Sequence, residues 1–217
     1  MGKTARAANK TAKLDRQAQQ LDTLTHMIGN LWGQRRECVE AAALFAATAS
    51  RLGIAVELRA VSILAIDTET HRVALTGIAA AEDAEERLGA TTFGAPADVS
   101  ENSFERAGHM IVTSKHLSMI FDPTFQQFAA EGLPPTPIAG KVSDTHPEDQ
   151  TLVIEMLNGR IEIIYYFDDA NTGWQAGVIV AAPAWSLAAE RLASHIRSGG
   201  SAAEMPFEIP WEDQPAR

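Results

Sequence analysis

The chain has 217 residues, of which 46% are hydrophobic and 21% charged, and this is the composition of a folded globular protein. Its net charge of −10 argues against a nucleic-acid-binding body, because neutralising phosphates requires a basic surface. No hydrophobic run approaches the roughly 20 residues that cross a bilayer, and the N-terminal segment lacks the hydrophobic region of a secretory signal. We therefore expect a cytoplasmic protein with no membrane segment.

Cys38 is the only cysteine in the sequence. An internal disulfide is impossible, and a structural zinc site built from several cysteines is excluded. The sequence also contains no phosphate-binding loop, dinucleotide fingerprint or paired-histidine zinc helix. We predict no metal and no cofactor, and Cys38 is either a small core residue or a reactive thiol.

Two helices are predicted in the first quarter of the chain. Residues 1–13 are rich in Ala, Lys and Thr and lack hydrophobic periodicity, which predicts a disordered basic arm that is either solvated or contacts nucleic acid or an acidic partner. A helical period begins at Leu14. A second, amphipathic helix ends at Gly53. The hydrophobic stripe of this second helix consists of Cys38, Ala42, Phe45, Ala49 and Leu52.

Strands are predicted in the middle of the chain. Residues 55–67 alternate between hydrophobic and polar side chains, and residues 72–80 follow as their hairpin partner. A long polar segment comes next and includes a short helix over residues 82–88. Residues 108–128 then predict two strands joined by a short polar turn, with an Asp-Pro-Thr corner at the end of the second strand.

The last third of the chain predicts a hairpin, a strand and a helix. Residues 132–150 are rich in Pro and Gly, carry few strand signals and predict a connection. Residues 151–169 predict a hairpin that turns at Asn158–Gly159, a favoured two-residue turn. Residues 174–183 predict a further strand, and residues 183–199 a helix with a proline near its start and a glycine at its end.

This order of elements defines the expected fold class. Helices followed by a run of strands with hairpin-length links predict an α+β domain with an antiparallel sheet, and not alternating βαβ units. We expect one domain over residues 14–198, with N-terminal helices packed on the sheet. Residues 199–217 predict an acidic C-terminal tail.

Three residues have the types and positions of a cysteine-based catalytic triad. Cys38 stands near the start of its helix, where a thiolate is favoured. His109 begins one strand and Asp122 ends the next, so a hairpin brings the two within side-chain reach. Each residue also has an ordinary structural role, because Cys38 suits a core, His109 can open a strand, and Asp122–Pro123–Thr124 is a common turn.

Three segments that carry these residues resemble the transglutaminase-like branch of the papain-like cysteine enzymes. They are ECVEAAALFAATASRLGI, GHMIV and FDPTF. The resemblance implies a papain-like core in which Cys38 is the nucleophile, His109 the general base and acid, and Asp122 the residue that orients the histidine. Arylamine N-acetyltransferases are the next nearest resemblance. Their Arg-Gly-Gly before the cysteine is replaced here by residues 34–37, QRRE, which counts against acetyl-CoA chemistry.

The resemblance implies a cysteine-dependent acyl-group enzyme. Such an enzyme is a peptidase, a deamidase or an amide transferase that works through a thioacyl intermediate on a peptide, a protein or a small amide. The backbone N–H of Cys38 is the first expected donor to the oxyanion. Gln34, Trp32 and Asn30 are candidates for a second donor or a substrate contact. The alternative is a catalytically inert papain-like scaffold that binds a protein partner.

Overall fold

The computed structural model describes residues 3–32, 37–88, 108–142, 144–146 and 151–204. Helices pack against an antiparallel, nearly closed sheet, and the α+β class predicted from the sequence is confirmed. The helices are α1 (Lys3–Trp32), α2 (Cys38–Leu52), α3 (Ile78–Leu88), α4 (Trp174–Ala184) and α5 (Ser186–Arg197), with a 3-10 helix at Phe125–Glu131. The strands are β1 (Glu57–Asp67), β2 (Arg72–Thr76), β3 (His109–Ser114), β4 (Met119–Asp122), β5 (Ile138–Lys141), β6 (Asp144–His146), β7 (Thr151–Met156) and β8 (Ile161–Phe167).

The sheet is organised around β1. One edge of β1 pairs with β8, and the other pairs first with β3 and then with β2. The order across the sheet is β5–β4–β3–β1–β8–β7–β6, with antiparallel neighbours. The sheet curls until β5 faces β7, where a Cβ on Gly140 would lie 3.1 Å from Ile154 Cδ1. A glycine at this position therefore permits the close approach that nearly closes the sheet.

Hydrophobic side chains fill both faces of the curled sheet. The inside contains Ile63, Ile111 and Ile163, which come from the three central strands. Helices α1, α2 and α5 cover part of the outside. Helix α3 covers another part, packing Ala80 and Ala84 near β1 and β8. Because both faces of the sheet are covered, residues 60–65 of β1 and every residue of β3 are buried.

Helix α2 is fixed to the sheet by an aromatic contact. Phe45 of α2 and Phe121 of β4 are both fully buried, and their ring centroids are 5.5 Å apart. Phe121 is next to Asp122 in the chain, and Cys38 begins the helix that carries Phe45. This contact therefore positions the start of α2, with Cys38, relative to the start of β3 and the end of β4.

Helix α1 begins at Lys3, well before the predicted start at Leu14. The sequence predicted a disordered arm over residues 1–13 and a helix from Leu14, whereas the structure is helical from Lys3. Residues 6–13 are exposed, and the buried positions of α1 begin at Leu21. Ala, Lys and Arg are strong helix formers, so this segment extends the helix without packing against the body.

Two predictions for the second half of the chain are wrong. Residues 174–183 form most of α4 and not a strand, because a short hydrophobic run suits either element and packing decides. Gly177 lets α4 approach α2 closely, and a Cβ there would lie 3.1 Å from Val39 Cγ1. Residues 132–150 contain β5 and β6, which pair with β4 and β7. Short edge strands depend on an available partner more than on their own composition.

Other predicted elements are confirmed. Strands β1 and β2 pair as the predicted hairpin, although β2 ends at Thr76 and residues 78–80 of the predicted strand belong to α3. Helix α3 contains the helix predicted for residues 82–88. The β7–β8 hairpin turns at Asn158 and Gly159, which both have positive φ, and the Arg160 N–H donates to the Leu157 carbonyl across them. Most of the predicted acidic tail, residues 205–217, lies outside the described residues.

Within the described part of the chain, no helix combines the length and hydrophobic character that a membrane span requires.

We expect Phe45→Ala to lower the free energy of unfolding by about 3–5 kcal/mol, because it removes a fully buried ring and leaves a cavity at the α2–sheet contact. Phe45→Leu keeps most of the buried volume and should cost clearly less. Urea unfolding followed by circular dichroism measures both. Leu187→Ala, at a side chain that is 63% exposed, is the control and should change stability by no more than about 0.5 kcal/mol. A loss below about 1 kcal/mol in Phe45→Ala would contradict the buried packing of Phe45 against Phe121.

Candidate active site

Cys38 and His109 line the same cleft, which has a volume of about 830 Å³. The walls come from α2, β1, β2, β3, the 3-10 helix and the segment that begins α4. Asp122 is fully buried behind His109. The structure therefore brings together the three residues that the sequence predicted as a triad.

Cys38 is the first residue of α2 and is half-buried. The carboxylate of Glu37, which precedes the helix, accepts a hydrogen bond from Trp32 Nε1 (3.0 Å) instead of capping the helix. The thiol thus lies at the positive end of the helix dipole, where a negative charge is stabilised. Cys38 is therefore not sealed in the hydrophobic core, because it is half-buried and lines the cleft.

His109 and Asp122 form a buried pair. His109 is 2% exposed and Asp122 is 0% exposed, and His109 Nε2 lies 2.8 Å from Asp122 Oδ1. The pairing of β3 with β4 sets Val112 opposite Phe121. Continuing this register places Asp122 opposite Ile111, one diagonal step from His109 on the same face. The hairpin therefore fixes the contact that the sequence predicted.

Further donors hold the Asp122 carboxylate in place. The Thr124 backbone N–H donates to Oδ1 (3.1 Å), and the Thr124 hydroxyl lies 3.5 Å from the same oxygen. Tyr165 of β8 donates its hydroxyl to Oδ2 (3.3 Å). Burial and the charge of Asp122 raise the pKa of Tyr165 well above its usual value, which keeps this hydroxyl protonated. Both carboxylate oxygens are thus oriented by hydrogen bonds.

The charge of Asp122 controls the protonation of His109. Burial acts to lower the pKa of the imidazole, but the attraction of Asp122, its hydrogen bond to the ring and the neighbouring Cys38 thiol together raise it to about 10. His109 is therefore an imidazolium at neutral pH. Asp122 contacts Nε2, which leaves Nδ1 as the nitrogen that groups of the cleft can contact.

Gln127 is a site residue that the sequence analysis missed. The 3-10 helix after the Asp-Pro-Thr corner places Gln127 Nε2 2.8 Å from His109 Nδ1. Its neighbour Gln126 instead donates to the Gly29 carbonyl of α1, and Phe128 packs its ring 5.8 Å from the His109 ring. Two adjacent glutamines gave no signal in the sequence to show which of them faces the cleft.

Two of the three candidates for a second oxyanion donor, Trp32 and Asn30, do not line the cleft. Trp32 is buried and donates to Glu37, while Asn30 donates to the Ala202 carbonyl (3.1 Å). Neither is among the described residues that line the cleft. Gln34 lies outside the described residues, so its role stays a prediction. Two side-chain amides that do line the cleft are those of Gln127 and Asn171.

Among the described residues, no group of three or more His, Cys, Asp or Glu side chains is arranged to hold a metal ion.

Comparison with protein-family models, with curated proteins and with solved structures finds no match to this chain. The transglutaminase-like resemblance therefore stays a prediction, and function has to be inferred from the cleft itself.

The raised pKa of His109 predicts a pH-dependent contribution to stability. Because the ring binds its proton more tightly in the folded chain, this contribution is fully present below about pH 6.5 and is lost as the pH rises through about 10. We expect the stability difference between wild type and His109→Gln to shrink by on the order of a few kcal/mol over that range.

Urea unfolding at pH 6, 8 and 10 measures this difference. His71→Asn is the matched control, since His71 is exposed in a turn with positive φ, a conformation that asparagine tolerates. Its stability difference from wild type should stay nearly constant between pH 6 and 10. A constant difference for His109→Gln as well would show that the buried pair does not hold the ring charged.

Proposed function

We propose that this protein is a cysteine-dependent acyl-group enzyme. Cys38 is the nucleophile, His109 the general base and acid, and Asp122 the residue that orients the histidine. One observation carries the proposal: a half-exposed thiol at a helix start shares a cleft with a buried histidine whose far nitrogen is held by a buried carboxylate. This is the geometric arrangement that activates a thiol for attack on carbonyl carbon.

The resting state of the proposed mechanism is a thiolate beside an imidazolium. The charged ring and the start of α2 both stabilise the anion of Cys38. Asp122 accepts a hydrogen bond from Nε2–H, and Nδ1–H on the opposite side of the ring is directed to the thiol. Tyr165 and Thr124 hold Asp122, and therefore the ring keeps its orientation through the reaction.

The first half-reaction is acylation of the thiol. The Cys38 sulfur attacks the carbonyl carbon of an amide, and a C–S bond forms while the C–O double bond opens to an oxyanion. The backbone N–H of Cys38 stabilises this oxyanion. The carbonyl then re-forms, the C–N bond breaks, and the leaving amine takes the proton from His109 Nδ1.

The second half-reaction releases the acyl group. Water or an amine attacks the thioacyl carbon, and His109 Nδ1, now neutral, accepts the proton of the attacking group. The C–S bond breaks and the Cys38 thiolate returns beside the imidazolium. Water gives a peptidase or deamidase, and an amine gives an amide transferase.

The cleft suits a peptide, a protein segment or a small amide as the substrate. Its volume of about 830 Å³ lies within the range of ligand-binding clefts, and Trp174 and Phe128 give it hydrophobic surface near His109. A nucleophilic thiol works only while it stays reduced, so we place the protein in the cytoplasm.

Alkylation of the single cysteine tests the Cys38–His109 pair. We expect iodoacetamide to modify Cys38 at pH 7 at least about tenfold more slowly in His109→Ala than in wild type, because the thiolate loses its neighbouring cation. Intact-protein mass spectrometry follows the rate, and Cys38→Ala defines the background. His116→Ala is the matched control, since His116 contacts Ser114 and should leave the rate unchanged. Equal rates in all histidine variants would contradict the proposal and favour the inert scaffold.

A trapped intermediate tests the acyl chemistry. We expect p-nitrophenyl acetate to release a burst of about one nitrophenolate per chain and to leave an acetyl group on Cys38. Cys38→Ser should show no burst. Decay of the acetylated form in buffer alone, compared with decay after adding a primary amine, shows whether water or an amine is the acceptor. A protein that stays unacetylated while iodoacetamide labels it readily would have a reactive thiol without the proposed activity.

A further inference from the structure

Gln127 contacts the nitrogen of His109 that the proposed mechanism uses. Its side-chain Nε2 lies 2.8 Å from Nδ1, while the opposite nitrogen of the ring is engaged with Asp122. Gln127 is half-buried and lines the cleft beside Cys38. Cys38 and Gln127 therefore both line the cleft beside the imidazole, and Gln127 contacts its Nδ1 edge.

The corner that holds Asp122 and the hydrogen bond of Gln126 together fix the position of Gln127. It belongs to the 3-10 helix that starts directly after the corner holding Asp122. The preceding residue, Gln126, is buried and donates its side chain to the Gly29 carbonyl, which ties this helix to α1. The amide of Gln127 is thus held near the ring by the same segment that supplies the carboxylate on the other side.

A primary amide suits a nitrogen that gains and loses a proton. A neutral His109 with its hydrogen on Nε2 has a lone pair on Nδ1, which accepts from the Gln127 NH2 group. An imidazolium carries a hydrogen on Nδ1. The Gln127 carbonyl oxygen accepts this hydrogen after the amide has rotated by about 180° about its Cγ–Cδ bond. The glutamine amide carries its donor and its acceptor on two atoms of one planar group, and asparagine carries the same group on a stem one methylene shorter.

From this geometry we infer that Gln127 is a positioning residue for His109. Its amide holds the Nδ1 edge of the ring in both protonation states, and it rotates by about 180° when Nδ1 gains or loses its proton. This inference rests on the proposed function. In the resting state the amide oxygen shares Nδ1–H with the Cys38 thiolate. After Nδ1 has protonated the leaving amine, the amide donates to the lone pair and keeps the ring aimed at the thioacyl group.

Hydrogen bonds and charges near His109 determine how a substitution at Gln127 changes the protonation of the ring. A hydrogen bond to the charged ring is stronger than one to the neutral ring, so removing the amide disfavours the charged form. A carboxylate in its place adds a second anion and favours the charged form. The groups that bear on this titration from the packed elements are Cys38 and Glu40 of α2, Asp122 of β4, Tyr165 of β8 and Glu131 of the 3-10 helix.

Two nearly isosteric variants therefore give opposite predictions. We expect the titration midpoint of His109 to fall by about one pH unit in Gln127→Met and to rise by about one in Gln127→Glu. The fall in Gln127→Met is the decisive readout, because a carboxylate at this position raises the midpoint by its charge alone. Ring 15N and 13C signals of histidine-labelled full-length protein report the midpoint, and the His109 signal is assigned by its loss in His109→Gln. In wild type above the midpoint, the same signals should show the tautomer with hydrogen on Nε2.

Gln19→Met and Gln19→Glu are the matched controls, because Gln19 is exposed on α1 and the chemical changes are identical. Both should leave the His109 midpoint at the wild-type value. Midpoints that stay unchanged in the two Gln127 variants, or that move in the same direction, would overturn this inference and leave the proposed function standing. Alkylation of Cys38 that is insensitive to His109→Ala would overturn the proposed function, and the role of Gln127 in catalysis with it.

Discussion

The buried contact between His109 and Asp122 is the interaction on which the rest of the site depends. Removing a charged pair from water is costly, and a pair is tolerated only when its geometry is good and its remaining groups are hydrogen-bonded. The structure meets this condition, since the Thr124 N–H donates to Oδ1, the oxygen that also contacts the ring, and the Tyr165 hydroxyl donates to Oδ2. The pair therefore holds its imidazole charged and oriented inside the protein, where a single surface histidine would be solvated and free to turn.

The thiol reaches this pair only through the packing of distant elements. The β3–β4 hairpin builds the pair, but Cys38 belongs to α2, and α2 is fixed to the sheet by hydrophobic contacts such as that of Phe45 with Phe121. Loosening this contact would move the Cys38 thiol relative to His109 without altering either residue. The stability of the core and the geometry of the cleft are for this reason coupled.

One short stretch of chain acts on both sides of the imidazole. It begins with the carboxylate at the end of β4 and continues through a 3-10 helix that returns to the opposite nitrogen with Gln127. Gln126 anchors this helix to α1. The ring is thus enclosed by a carboxylate that stabilises its charge and an amide that adapts to either protonation state, and the thiol approaches from a third direction.

The sequence by itself determined the α+β class, the β7–β8 turn at Asn158–Gly159 and the pairing of His109 with Asp122, because each depends on local periodicity or on a short hairpin. Tertiary structure alone decided the rest. A hydrophobic run became α4 because it packs on α2, and β5 and β6 formed because strand edges were available to them. Gln127 faces the ring because of how a 3-10 helix docks. Contacts between segments far apart in sequence leave no periodic signal, so only the folded chain reveals them.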